Sequence, residues 1–159
     1  MQFDANKRSL FLGPKIIATD NLLPWVITPK TFLESCTQCA DCINACPEKI
    51  IIKGDGGFPR IDFDLGECDF CGQCAEICKE PIFTSTTEDP WHKKAFINQT
   101  CLAYENIYCR SCAESCEIQA LTFQLGLSAT PQIDTDLCSG CGACVAPCPT
   151  KAIEVKELK

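Results

Sequence analysis

Sixteen of the 159 residues are cysteines, and they fall into four groups of four. Cys36, Cys39, Cys42 and Cys46 are spaced C-x2-C-x2-C-x3-C, and Pro47 follows. The same spacing recurs in Cys68, Cys71, Cys74 and Cys78, and again in Cys138, Cys141, Cys144 and Cys148, which Pro149 follows. The remaining group, Cys101, Cys109, Cys112 and Cys116, has its first gap stretched by Leu102 through Tyr108. A [4Fe–4S] cubane needs four thiolates converging on a small tetrahedral core. Cysteines at two-residue gaps let one tight loop wrap three corners of it. The fourth, three residues on, stands about one helical turn away and faces elsewhere. Disulfides fit an even count of cysteines, but cysteines this close in sequence pair poorly and no export signal is evident. Structural zinc favours separated C-x2-C pairs over unbroken runs of three.

In two-cluster ferredoxins with this run, the fourth cysteine of each motif ligates the other cluster. Applied to this chain, the rule gives four sets. Cys36, Cys39, Cys42 and Cys78 form one, and Cys68, Cys71, Cys74 and Cys46 its neighbour. Cys101, Cys109, Cys112 and Cys148 form the third, and Cys138, Cys141, Cys144 and Cys116 the fourth. The stretched group leaves room for a degraded site, so three clusters are the minimum and four the expectation. Gly72 and Gly142 each follow the second cysteine of their group, where a missing Cβ lets backbone N–H groups approach a cluster's sulfurs. Ala40 and Arg110 hold the matching places, which implies unequal reduction potentials.

Little else in the chain offers chemistry. His92, the only histidine, sits between Trp91 and two lysines and reads as a surface residue. Tyr104 and Tyr108, in the stretched loop, read as core or cluster-shielding residues. No nucleophile–base set, dinucleotide fingerprint or P-loop is visible, so the chain reads as a non-enzyme. The formal charge is −7 with every thiol counted neutral, and four clusters of roughly −2 each would take it to about −15. That acidity argues against nucleic-acid binding and for basic patches on partners. No apolar run reaches the roughly 18 residues of a membrane span. The N-terminus lacks a signal-peptide apolar region, and Lys7-Arg8-Ser9-Leu10-Phe11-Leu12 has only one arginine, so the expected compartment is the cytoplasm.

Short elements must position these cysteines. Ile50–Ile52 and Arg60–Phe63 read as two strands around a turn at Gly54–Gly57. Leu121–Gln124 and Gln132–Asp134 read as a second pair around a turn from Gly126 to Pro131. One helical turn is expected between the third and fourth cysteine of every group. The fold class is therefore α+β: two tandem, pseudo-symmetric dicluster ferredoxin-like units, residues 31–84 and 91–159. Residues 1–30 form an N-terminal arm, and Thr84–Pro90 is the candidate linker. With so many cysteines committed to metal, the remaining core is modest and folding is expected to depend on cluster insertion.

Two features narrow the family. The third motif reads C-L-A-Y-x4-C-R-S-C-A-E-S-C-E, and the arm carries Leu22-Leu23-Pro24-Trp25. With the C-S-G-C-G-A-C-V-A-P-C-P ending, these make the chain resemble, over nearly its whole length, the NapF family, the ferredoxin-type proteins of the periplasmic nitrate reductase system. Cys78 and Cys116 depart from the simple ferredoxin pattern, being followed by Lys79 and Glu117 in place of proline. The resemblance implies an accessory protein that contacts the molybdenum-containing nitrate reductase catalytic subunit before export and helps to mature it. Leu22, Leu23, Pro24 and Trp25 would be its docking patch. The alternative is a ferredoxin, or an electron-carrying subunit of a larger oxidoreductase, with its own redox partners. A third possibility makes the cluster on the stretched motif a labile cargo.

Overall fold

The computed structural model describes residues 21–124 and 130–158. The Lys7–Leu12 stretch and Gly126 lie outside the described residues. Helix α1 (Pro29–Ser35) begins where the sequence supplies a cap, with the Thr28 hydroxyl accepting from the Thr31 N–H at 3.0 Å and Pro29 opening the first turn. It buries Phe32 and ends by donating the Cys36 N–H to the Phe32 carbonyl. This Thr-Pro start was a readable helix signal that the cysteine pattern overshadowed.

Helices α2 (Asp41–Ala45), α3 (Gln73–Glu76) and α4 (Ser111–Glu114) each start one residue before the third cysteine of their group, as expected. The last group differs. Residues 143–147 form turns, with the Val145 N–H on the Gly142 carbonyl at 2.9 Å and the Cys148 N–H on the Val145 carbonyl at 3.1 Å. Pro147 explains the correction: it has no N–H to give a helix and disfavours helical backbone at Ala146.

Strands β1 (Ile51–Lys53) and β2 (Pro59–Ile61) pair antiparallel, Ile51 opposite Ile61, around a 3-10 turn at Asp55–Gly57. Gly56 and Gly57 hold φ of 66° and 87°, a region that glycine enters without penalty. Strand β3 (Lys93–Ile97) was not anticipated. Its two leading lysines disguise a period-two strand that buries Lys93 and Ala95. Strands β4 (Leu121–Phe123) and β5 (Pro131–Ile133) pair in the same way as β1 and β2, Leu121 opposite Ile133. β3 pairs antiparallel with β6 (Ile153–Glu157), Ala95 opposite Val155. After Cys78 the extended pairing is limited to one antiparallel bridge, Phe83 to Val26. Few short helices and strands, arranged around cysteine loops, make this a small α+β fold.

The Leu22–Trp25 patch is corrected by burial. Leu23 is 2% exposed and Trp25 4%, and Leu22 and Pro24 are buried with them. The candidate linker accounts for Trp25. Its N–H donates to the Pro90 carbonyl at 2.7 Å, its carbonyl accepts from the Thr84 N–H at 2.8 Å, and its indole N–H donates to the Glu88 carbonyl at 2.9 Å. Residues 84–90 thus wrap one buried indole, and the patch offers no free apolar face for docking.

One core gathers Leu23, Ile50, Ile51, Ile61 and Phe63 with Cys46 and Cys74, and Val155 of β6 reaches into it. A second gathers Ala95, Ala120, Leu121 and Ile153 with Cys112, Cys138 and Cys144. Leu22, Phe32 and Ile82 close a third. Cysteines therefore stand inside both main cores, where an inorganic cluster would replace missing apolar volume.

Candidate metal centres

The loops around the cysteines share a backbone device that the sequence barely shows. In three groups the residues on both sides of the second cysteine hold positive φ. They are Gln38 (59°) and Ala40 (68°), Phe70 (54°) and Gly72 (78°), and Gly140 (74°) and Gly142 (88°). Each left-handed residue reverses the local coil, so successive cysteines face a common centre. Only the glycines advertised it. The stretched group departs, with Arg110 at φ −137° and the left-handed residue moved to Asn106. A second recurrence lies three residues after the fourth cysteine. Lys49, Gln119 and Lys151 hold φ of 58°, 52° and 50°, and each N–H returns to that cysteine's carbonyl. Pro81 occupies the same place after Cys78.

These loops bring thiols together across groups. One cavity is lined by Cys36, Cys39, Cys42 and Cys78, with Phe32, Ile82 and Phe83 among its walls. Another is lined by Cys46, Cys68, Cys71 and Cys74, and Pro24, Trp25 and Phe70 cover it. A third is lined by Cys101, Cys109, Cys112 and Cys148, with Ile97, Phe123 and Ile153. In each case the fourth cysteine of one motif stands with the first three of the other. Cys138, Cys141 and Cys144 are mutual neighbours, and Cys116 packs with Cys138 and Cys144 against the second core. The third cysteines also come within electrostatic reach across motifs: the Cys42 sulfur helps to raise Cys74, and the Cys112 sulfur helps to raise Cys144.

Burial governs the thiols of the metal-free chain. It pushes Cys42 and Cys112 up to about 11, with neighbouring sulfurs adding to the effect. It pushes Cys68, Cys74 and Cys144 up to about 12. Cys36 and Cys71 are raised for the same reason. Backbone N–H groups oppose the rise, from Gln38 toward Cys36, Phe70 toward Cys68 and Gln73 toward Cys71. Others reach sulfur directly, Ala152 donating to Cys148 at 3.2 Å and Ala95 to Cys138 at 3.5 Å. Thiols held neutral by burial but surrounded by N–H donors suit a cation that displaces their protons and leaves sulfur charge to be hydrogen-bonded.

The residues present fit [4Fe–4S] clusters. Each described cavity offers four soft sulfur donors and a wall that is largely apolar. Among the described residues, no three His, Cys, Asp or Glu side chains crowd closely enough to hold a single ion; the thiols surround a space instead. Beside Cys109, the Arg110 Nε is buried with no hydrogen-bond partner. Such a donor fits beside a group of negative charge. When bound, clusters supply one-electron redox chemistry, and the chain supplies ligands, hydrogen bonds and shielding.

Other expected residues fall out as follows. Gly72 and Gly142 lie against protein: a Cβ at Gly72 would meet the Thr86 methyl at 3.1 Å, and one at Gly142 would overlap the Phe63 ring. His92 is exposed. Tyr104 is half-buried, whereas Tyr108 is 82% exposed and shields nothing, which corrects its expected role. The inserted residues push it outward, and its ring supports the Arg110 guanidinium at 5.7 Å. Arg110 and Trp25 are the site neighbours whose roles the sequence alone did not give. An arginine where other groups carry glycine or alanine was the available signal for the first.

Comparison with known proteins agrees with this geometry. A 4Fe–4S dicluster domain family matches residues 35–82, and a 4Fe–4S binding domain family matches residues 131–154. The ferredoxin-type protein NapF of Escherichia coli K12 is 40% identical over 161 aligned residues, covering 99% of this chain and 98% of that protein. NapF of Haemophilus influenzae is 44% identical over 138, covering 86% and 78%. The methylamine utilization ferredoxin-type protein MauM of Methylophilus methylotrophus is 24% identical, covering 85% and 69%. Among the described residues no helix is long and apolar enough to cross a membrane. With ferredoxin-type loops able to hold several [4Fe–4S] clusters and a near full-length likeness at 40% identity, the chain belongs to the NapF family of ferredoxin-type proteins.

Proposed function

We propose that this chain carries four [4Fe–4S] clusters and acts in the cytoplasm as an accessory protein for the periplasmic nitrate reductase. In this reading it helps to mature that enzyme's molybdenum-containing catalytic subunit before export, by inserting a cluster or conditioning its redox state, and has no active site of its own. The ligand sets are Cys36, Cys39, Cys42 and Cys78; Cys46, Cys68, Cys71 and Cys74; Cys101, Cys109, Cys112 and Cys148; and Cys116, Cys138, Cys141 and Cys144. They divide between tandem pseudo-symmetric units, residues 31–84 and 91–159, preceded by an arm at residues 1–30. Gly72 and Gly142 serve the second and fourth sites by keeping their loops free of a side chain. The likeness to NapF across nearly the whole chain carries the assignment. The three four-cysteine cavities and the matching electrostatic coupling of Cys42 with Cys74 and of Cys112 with Cys144 support the ligand sets and the pseudo-symmetry.

The test mixes the loaded protein anaerobically with cluster-free catalytic-subunit precursor, separates the two and counts iron in each. Maturation predicts iron gained by the precursor. Electron passage with no transfer of iron supports the second reading, an electron carrier. One observation favours that reading: the Cys68 N–H donates to the Cys141 carbonyl at 2.8 Å, joining a ligand of one unit to a ligand of the other.

A further inference from the structure

The two halves carry unequal charge. Residues 31–84 hold ten carboxylates against four cationic side chains, a net −6, whereas residues 91–159 hold seven against six, a net −1. The inequality reaches the sites. Asp41 and Glu80 line the first cavity, and Glu48 and Asp69 the second. No carboxylate lines the third. Instead the Arg110 guanidinium lies 5.5 Å from the ring of Phe123, a wall of that cavity, and its Nε is buried without a partner. At the fourth group, the Lys94 ammonium donates to the Cys138 carbonyl at 2.6 Å.

Reducing a cluster adds one negative charge, so nearby carboxylates oppose the change and nearby cations favour it. Resting on the ligand sets proposed above, we infer that the chain is electrically polarised. Its second half is the end where electrons settle, and Arg110 and Lys94 raise the potentials there. An electron taken up by the first half from an external reductant leaves an oxidised donor behind. It then passes to the second half, most directly across the Cys68–Cys141 hydrogen bond, which returns the first half to its oxidised state.

The experiment is stepwise reduction of the full, anaerobically loaded protein with dithionite and mediators, followed by EPR, with iron counted per chain. Cys109→Ala and Cys141→Ala should each lower iron from about sixteen to about twelve and remove an early-reducing signal. Cys39→Ala and Cys71→Ala should each remove a late one. If iron falls as expected but the early signals belong to the Cys39 and Cys71 variants, the polarity is overturned and the ligand sets stand. If iron does not fall, the ligand sets fail and the polarity with them. Should a cysteine variant hold no cluster at all, Arg110→Gln and Lys94→Gln decide. Each should keep full iron and shift one early signal to lower potential, with Arg110→Lys largely restoring the wild-type value. Unmoved potentials would sink the proposal.

Discussion

A methyl group at position 142 would fall inside the ring of Phe63, and φ there is 88°. Position 72 has a similar φ of 78° but meets nothing tighter than the Thr86 methyl, at 3.1 Å, and Ala40 shows that the equivalent place tolerates a Cβ. Gly142→Ala should therefore cost about 2 kcal/mol or more through combined strain and overpacking, and Gly72→Ala clearly less. Unfolding of a cluster protein is irreversible, so the readout is the rate at which visible absorption bleaches in denaturant. Equal rates for the two variants would contradict the crowding at Phe63. Thiol protonation gives a second expectation. In the reduced, metal-free chain, burial holds Cys42 and Cys112 at about 11 and Cys68, Cys74 and Cys144 at about 12, above an ordinary 9.0. The folded form thus keeps protons that the unfolded chain releases. Its stability is fully present below pH about 9 and is lost as pH rises through 11 to 12. A metal-free chain that keeps its fold should melt lower under reductant at pH 11 than at pH 8, and no transition at either pH would mean that folding waits for the clusters. In the loaded protein iron has replaced those protons and the alkaline loss should vanish.

Elements made of three to five residues cannot stand alone, so each is held by what it packs on, and this decided which were legible in the sequence. β1, β2, β4 and β5 were legible because Ile51, Ile61, Leu121 and Ile133 alternate beside recognisable turns. β3 was not, because Lys93 occupies an inward position that apolar residues normally mark, its ammonium reaching the Leu22 carbonyl at 3.2 Å. The four proposed thiol sets came from the spacing read through the ligation rule of two-cluster ferredoxins, and the cysteines of three of them line cavities together. What surrounds them was hidden, since contacts such as Trp25 with residues 84–90 join parts of the chain that lie far apart in sequence. Trp25 illustrates the consequence. Its ring is buried, meets Phe70 edge-on at 6.4 Å and covers the cavity of Cys46, Cys68, Cys71 and Cys74. Trp25→Ala removes that cover and should cost roughly 3–5 kcal/mol. A chelator should then strip iron from this site first. Retained iron with weakened partner binding would restore the docking role that burial argues against.

At the scale of the whole molecule, the question is whether the halves are beads on a string or one cooperative body. Several contacts bind them. Val155 of β6 enters the core of residues 23–74, Lys151 pairs with Asp64 at 2.9 Å, and the Trp91 indole bonds the Ser139 carbonyl while meeting Phe63 and Phe70 edge-on. The Lys151–Asp64 pair is well exposed and contributes little. Phe63 is the stronger joint, being 6% exposed and packed at once on Trp91 and on the backbone at Gly142. Phe63→Ala should cost roughly 3–5 kcal/mol. Because Phe63 stands in the first half's core while its ring meets Trp91 and Gly142 of the second half, the loss should spread to both. Iron and acid-labile sulfide per chain should fall together at the Cys46 and Cys141 sites, and the two associated EPR signals should broaden or vanish in parallel. Loss confined to the first half's signals would mean that the halves fold independently. The Cys68–Cys141 hydrogen bond would then be a contact of convenience, and the route for electrons between halves would have to lie elsewhere.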